Sequence, residues 1–501
     1  MNLTPTPTSI PTNDRRWMAL VVVCLAQLMI VLDTTIVNVA LPSIQRDLHF
    51  SQGNLTWVIN AFLVTFGSFL LLAGRLGDLL GRRRVFLSGL VLFTVASVLC
   101  GAAPSQGFLI AARFVQGIGA AMQASVILAI IVTEFPAPHD RARAMSAYVF
   151  TAVAGGSLGL LAGGALTEAL SWHWIFFVNL PIGLAAMAFG RILIPQDRGI
   201  GLEHGVDWLG SFLVTVSLMT AVYAIVQATN HGWGSWQVLG FGGVAVVLMG
   251  LFLLLESRIE NPIMPLRILR LRGLVGASAV RGLLVTGMYS TFFLGTLYLE
   301  HVRHFSALQT GMAFLPWTIT VGILSTGVTA RLVERFGQMR VLVPGMLSVI
   351  VGLLLLRSTG VHTSFFPTVF FAFLAIGLGI GNAFMPLLQI AMADVPAQDA
   401  GLGSGITNVS QQVGGALGLA VLGTVATNHS KSLLAQHHTV ADALIGGYHL
   451  AFSIGVVAVI AAIATAVTVL RTPAPVEAEE RAQAVALVTE EPAVPFERQA
   501  A

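Results

Sequence analysis

The sequence predicts an all-α polytopic membrane protein of fourteen spans, built as two parallel six-helix repeats with two further spans inserted between them. Three observations carry this prediction. Of the 501 residues, 55 % are hydrophobic and only 10 % charged, against about 25 % charged in ordinary soluble domains, and the mean hydropathy is +0.83. The apolar residues come in blocks of about 20, the helix length that crosses a ~30 Å hydrocarbon core. The chain also repeats itself at an offset near 260 residues.

The spans run roughly over 17–39, 54–74, 85–103, 108–132, 144–166, 173–194, 208–229, 237–255, 274–299, 310–330, 341–357, 365–389, 403–426 and 447–470. Membrane strands would instead give ~10-residue alternating segments, so a β-barrel is excluded. Residues 1–16 are polar and rich in Pro and Thr, and read as an N-terminal cytoplasmic tail. The run after Arg16 is too long for a signal-peptide core and is expected to stay as the first span. Spans 1–6 make a bundle over 17–194, residues 195–272 form a linker holding the two extra spans, and spans 9–14 make a second bundle over 273–471. Within that linker, Glu256 to Arg272 carries Pro262, Pro265 and four arginines, and reads as a loop between bundles. Residues 472–501 show no packed-core pattern and are expected to be disordered.

Basic residues set the orientation. With the N-terminus inside, 20 of the 26 Lys and Arg fall on inner segments, four (Arg46, Arg303, Arg357, Lys431) on outer segments, and two (Arg113, Arg281) within spans. Both termini are therefore expected in the cytoplasm, with the chain in a plasma membrane, a bacterial inner membrane.

Three matches define the repeat. Gly74-Arg75-Leu76-Gly77-Asp78-Leu79-Leu80-Gly81-Arg82-Arg83-Arg84 after the second span pairs with Ala330-Arg331-Leu332-Val333-Glu334-Arg335-Phe336-Gly337-Gln338-Met339-Arg340 after the tenth. Gly155 to Gly164 in the fifth span pairs with Gly414 to Gly423 in the thirteenth, with six identities in ten. Gly117-Ile118-Gly119 and Pro136-Ala137 pair with Gly377-Leu378-Gly379 and Pro396-Ala397. Parallel halves of this kind imply a central cavity and alternating access by rocking.

Of the 23 Asp and Glu, only Asp33 lies well inside a span. A carboxylate in hydrocarbon is costly unless protonated, paired or facing water, so it marks a functional site by default. Running outward from Trp17, Asp33 lies roughly 24 Å deep at ~1.5 Å per residue, and Arg113, running inward from Phe108, about 8 Å below the outer face. Those depths nearly sum to a ~30 Å core, which places the two at one level in the outer half. The alternative is that Asp33 only bonds Thr34, Thr35 or Asn38 on its own helix.

Arg281 lies about seven residues into the ninth span, where snorkelling to the cytoplasm would satisfy it. Histidine is a poor coupling group here, because none of the twelve lies deep in a span. Cys24 and Cys100 both fall in spans and read as packing residues, without a disulfide or zinc site. Asn54-Leu55-Thr56 fits a glycosylation sequon, a weak tripeptide signal.

Taken together, these segments resemble the major facilitator superfamily, and within it the fourteen-spanner drug–proton antiporter family. Leu32 to Pro42 resembles the family's first-span motif, and Gly74 to Arg84 is a close copy of the superfamily's signature loop. Arg113 with Gln116, Gly117 and Gly119 resembles the fourth-span motif, Gly155 to Gly164 the antiporter motif, and Trp172 to Gly183 the sixth-span entry. Two departures stand out: Leu160 follows Gly159 where the motif normally has proline, and His173 stands where arginine is usual.

The resemblance implies a major facilitator fold whose first and fourth helices line the cavity, so that Asp33 and Arg113 would meet there and handle the coupling proton. It implies an inner gate of Gly74, Arg75, Gly77, Asp78, Gly81, Arg82 and Arg83, with Asp78 pairing with arginine and with a helix N-terminus of the other half. The same arginine cluster also suits a plain topological anchor. Gly155, Gly159, Gly163 and Gly164 would let helices approach closely, either as an antiporter device or as static packing. Asp33 and Arg113 map to Phe293 and Phe373 in the second half, which confines proton handling to the first. The second half would then supply an apolar substrate wall. Candidates for the cavity are Asn38, Gln116, Tyr289, Phe292, Phe293, Phe314, Trp317, Phe384, Met385 and Gln389.

The expected function is a proton-coupled efflux transporter, a substrate:H+ antiporter of hydrophobic or cationic drugs and antibiotics. Its expected partners are a small-molecule substrate, protons and the lipid bilayer, with no nucleic acid. It would work as a monomer, with no cofactor or metal beyond the proton motive force and no catalytic residues. The alternative on the same scaffold is an exporter of an endogenous metabolite or lipid. A membrane-bound enzyme or receptor is remote: the sequence holds no HExxH and no P-loop, which also excludes a self-contained ATP-driven pump.

Overall fold

A computed structural model describes residues 13–50, 55, 57–197, 199–201, 207–259, 262, 264–305 and 307–470. The tails 1–12 and 472–501, Asn54 and Thr56 of the sequon, and the side chains of Tyr289 and Leu160 lie outside the described residues.

The first bundle comprises α1 (Asn13–Asp47), α2 (Trp57–Leu80), α3 (Arg82–Gly101), α4 (Gln106–Glu134), α5 (Pro138–Ala169) and α6 (Trp174–Leu193). Then come α7 (Trp208–His231) and α8 (Trp236–Glu256). The second bundle comprises α9 (Arg272–Val302), α10, α11 (Gln338–Arg357), α12 (Phe365–Ala393), α13 (Ala400–Ala435) and α14 (Val440–Val469). Here α10 denotes the broken run Ala307–Ala313, Leu315–Ile323, Leu324–Val328 and Thr329–Phe336.

Among the described residues, twelve helices are long and apolar enough to cross a membrane, and α5 makes a thirteenth as two pieces bent by 42°. The fourteenth expected stretch is α10, interrupted at Phe314 and at Gly327, whose φ is +105°. Helices suit this chain because a lipid environment requires each backbone group to be satisfied within its own segment. Several starts are capped from the sequence: Ser105, Asp207, Ser235 and Thr439 accept backbone N–H bonds at α4, α7, α8 and α14. Pro138 sits in the first turn of α5, where its missing N–H has no helical partner to lose.

The signature segment is not a loop. Helix α2 continues through Asp78 to Leu80, and the chain turns into α3 at Gly81 alone (φ +98°). The second copy breaks in the same way at Gly337 (φ +87°), between α10 and α11. A positive φ of this kind is open to glycine and strained for other residues, so each copy of the motif specifies a one-residue corner.

Packing follows the repeat. In the first bundle α1 packs on α5 and α6, α3 on α4 and α6, and α2 on α4. In the second, α9 packs on α13 and α14, α11 on α12 and α14, and α10 on α12. The seam between bundles joins α2 and α4 to α13, and α5 to α10 and α12. Outside it, α7 packs on α2 and α13 and carries α8, with Trp57 of α2 stacked on Tyr223 of α7 at 5.8 Å between ring centroids.

Both described ends of the chain lie at one end of the bundle, called the inner end below. There Arg15 of α1 donates to Ile192 O of α6, Gly273 of α9 faces Ile390 and Asp394 near the end of α12, and Gly276 faces Val469 and Leu470 at the end of α14. The arginine-rich stretch before α9 is more than a loop between bundles. Leu266–Arg270 forms a 3₁₀ turn, Arg267 pairs with Asp399 at 3.0 Å, and Pro262 O accepts from Arg75.

Candidate functional site

Asp33 does not bond Thr34, Thr35 or Asn38. Those side chains all bond the backbone of their own helix: Thr34 and Thr35 reach Val31 O, and Asn38 reaches Thr34 O. The Asp33 carboxylate instead faces α4. Its Oδ2 accepts from Arg113 Nη1 at 2.5 Å, and its Oδ1 accepts from Gln116 Nε2 at 2.8 Å. Arg113 and Gln116 stand three residues apart, which puts both on one face of α4.

The surroundings complete this pair. Arg113 Nη1 also donates to Gln116 Oε1 at 2.7 Å, and its Nε donates to Val58 O of α2 at 2.9 Å. The guanidinium lies 4.5 Å from the Phe62 ring centre and 5.8 Å from that of Phe176. Gln116 Nε2 reaches Ser97 Oγ of α3 at 2.7 Å, and Asn179 Nδ2 of α6 reaches the same oxygen at 3.3 Å. The Cys100 thiol rests 3.5 Å from Gln116 Oε1. Asp33 and Arg113 are at most 1 % exposed.

A one-to-one charge pair, each oxygen bonded, is the arrangement in which buried ions are tolerated. The sequence placed Gln116 in the substrate cavity, and the structure puts it in the ion-pair site instead. Ser97 and Asn179 were missed. Each is a polar residue inside an apolar run, and Asn179 falls in the sixth-span segment quoted above.

Three motif glycines press α5 against α1 around this site. A methyl on Gly155 would stand 3.1 Å from Val31, one on Gly159 would overlap Thr35 Oγ1, and one on Gly163 would lie 3.0 Å from Ile36 O. Gly164 faces open space and takes no part. In the second bundle, Gly414 and Gly418 of α13 press in the same manner on Gly282 and Thr286 of α9. The bend in α5 falls between Gly156 and Leu161, so the span bends without the proline.

At the inner end the bundles are locked together. Asp78 Oδ1 accepts from Gly401 N at 2.8 Å and its Oδ2 from Leu402 N at 2.9 Å, both in the first turn of α13. Arg82 Nη2 lies 3.4 Å from Asp78 Oδ1. A helix N-terminus carries free N–H groups and a partial positive charge, which is why a carboxylate seats there. A methyl at Gly74 would stand 2.5 Å from Gly401 O, so the close contact requires glycine on both helices. Gly77 faces Val126. Two acids that the sequence left unassigned add to this end, Asp399 across the bundles and Asp197 within the first. Asp399 takes Arg75 at 3.4 Å as well as Arg267. Asp197 accepts from the backbone N–H of Arg82 at 2.7 Å and of Arg83 at 3.2 Å. In the second copy of the motif, Glu334 contacts His139 near the start of α5, with both side chains about half exposed.

The predicted substrate wall is brought together only in part. Phe292, Phe314, Trp317 and Phe373 form one ring cluster, with centroids 4.6–6.5 Å apart. Phe293 is 42 % exposed and outside that cluster, whereas Phe292 lies within it and faces Gly156 of α5. Gln389 bonds Gln338 at the start of α11, about four and a half turns along α12 from Phe373 and close to the inner end. Asn38 is exposed. Met385 is buried, and Phe384 lies under Arg281, its ring centre 5.5 Å from the guanidinium. Arg281 does not snorkel. It is 2 % exposed, donates to Gln411 of α13 and lies near enough to Tyr148 of α5 for its charge to be felt there.

Comparison with known proteins agrees with this architecture. A family model described as the Major Facilitator Superfamily matches residues 23–419. The chain is 39 % identical over 473 residues to the puromycin resistance protein pur8 of Streptomyces alboniger, covering 92 % of this chain and 93 % of that protein. It is 35 % identical over 436 residues to the cephamycin export protein CmcT of Amycolatopsis lactamdurans, covering 85 % and 89 %. The tetracenomycin C resistance and export protein of Streptomyces glaucescens is 32 % identical over 416 residues, with 82 % and 76 % covered. Among solved structures, the human organic anion transporter MFSD10 shares the fold at a TM-score of 0.62 and 17 % identity, covering 89 % of this chain and 99 % of that one. The chain belongs to the Major Facilitator Superfamily, and is a multi-pass membrane transporter of small molecules, not an enzyme.

Proposed function

We propose that this protein is a substrate:H+ antiporter that exports hydrophobic antibiotics and other drugs by alternating access, without any cofactor beyond the proton gradient. The observation that carries the reading is the Asp33–Arg113–Gln116 site: one fully buried acid, on the helix that packs against the motif glycines of α5. A proton arriving from outside adds to an Asp33 oxygen and its bond to Arg113 breaks. Arg113 stays held by Gln116 and Val58, and α1 is freed to shift against α5. The proton leaves to the inside when substrate drives the reverse change. The Asp78 lock on α13 describes the state with the inner end closed.

The relatives named for puromycin resistance, cephamycin export and tetracenomycin C export support an antibiotic as substrate. The excess of arginine on inner segments supports a cytoplasmic location for both termini in a bacterial plasma membrane, and one chain holds both repeats, so a monomer suffices. Resistance profiling of cells expressing wild type and Asp33→Asn tests the reading. Resistance that disappears in Asp33→Asn and on collapsing the proton gradient is expected. Resistance that survives both overturns it.

A further inference from the structure

Arg281 is a buried cation that the ion-pair site does not use, and Tyr148 of the first bundle lies near it. Starting from Arg272, it lies nine residues into α9, roughly 13 Å from the inner end at ~1.5 Å per residue. It is therefore separate in depth from Asp33, which lies in the outer half. Basic residues this deep are rare and mark substrate or ion paths.

Its named contacts divide unequally between the bundles. Gln411 of α13 and the Phe384 ring of α12 belong to the same bundle as Arg281 and travel with it. Tyr148 of α5 belongs to the other. On the alternating-access reading, opening the inner end separates the bundles and with them Tyr148 from Arg281. A guanidinium offers a planar fork of donors that matches a carboxylate or another oxyanion, and an aromatic ring behind it suits a flat apolar scaffold.

We propose that Arg281, Phe384 and Gln411 form a recognition site for the anionic oxygen of an apolar, ring-containing substrate. Tyr148 stands beside that site when the inner end is closed. Substrate would be taken up when Tyr148 has left and expelled from the guanidinium as Tyr148 returns. The inference rests on the alternating-access reading above and deepens it by naming an acid-bearing substrate class.

The test is binding of pyrenebutyrate and of its neutral amide to purified full-length protein, followed by fluorescence. Because hydrogen bonds to charged groups are the stronger kind, wild type is expected to prefer the acid by at least about ten-fold. Arg281→Gln should abolish that preference, and Arg281→Lys, which keeps the charge but not the fork, should retain part of it. Tyr148→Phe, which removes the competing hydroxyl, should tighten binding of the acid. Equal affinity for acid and amide in wild type overturns the inference without recourse to any variant, as does an undiminished preference in Arg281→Gln. Exchange of the amide for protons in wild-type vesicles separates the two ideas. If it occurs while the acid is not preferred, only this inference fails; if no compound exchanges for protons, the antiport reading fails with it.

Discussion

Replacing Asp33 by asparagine keeps the shape of the side chain and removes the charge that Arg113 faces. Leaving one partner of a buried pair uncompensated costs about 3–5 kcal/mol, so both Asp33→Asn and Arg113→Gln should lower thermal stability and abolish proton-dependent transport. The double variant should be less destabilised than the sum of the two, because contacting residues couple by about 0.5–3 kcal/mol; a double-mutant cycle on melting temperature reads this, and strict additivity contradicts a functional pair. At this scale the sequence was informative where a residue was out of place. An acid in an apolar run announced Asp33, and helical rise put Arg113 at its level. Gln116 was read as a cavity residue because a neutral amide is cheaper to bury than an acid and does not announce which partner it takes. Arg281 was misread because depth alone does not say which way a long side chain turns.

Among the helices, the sharpest contrast lies within one glycine motif. Gly159 has Thr35 and Leu32 against it, while Gly164 faces open space. Gly159→Leu should drive α1 and α5 apart, with a clear fall in melting temperature and in transport. Gly164→Ala should stay within about ±0.5 kcal/mol of wild type, as surface changes do. Comparable losses in both would mean that the close approach of α1 and α5 is not what the motif provides. Spans were readable because apolar blocks act locally. The breaks in α10 and the bend in α5 were not, since they depend on what packs alongside. The signature segment looked like a loop because its charges are conspicuous, yet only Gly81 and Gly337 leave the helix.

For the molecule as a whole, the two copies of the signature motif are unequal. Asp78 is buried on two backbone donors of α13, whereas Glu334 meets His139 in solvent. Hydrogen bonds to a charged group are worth about 1.5–3 kcal/mol, and exposed pairs about 0–1 kcal/mol. Asp78→Asn should therefore open the inner end far more than Glu334→Gln. The check is labelling of Ser404→Cys, a buried position in α13, by a maleimide in a background lacking Cys24 and Cys100. Faster labelling in Asp78→Asn alone is expected, and equal rates in the two variants contradict the asymmetry. The two-fold plan was legible from the offset repeat. The asymmetry was legible only in part, as the missing counterparts of Asp33 and Arg113.

In the antiport proposed above, substrate and proton exchange through Asp33. Proton release on adding substrate to the purified protein in weakly buffered solution tests it most directly. Wild type should release protons as substrate binds, and Asp33→Asn should release none. Equal release from both would place the coupling proton elsewhere.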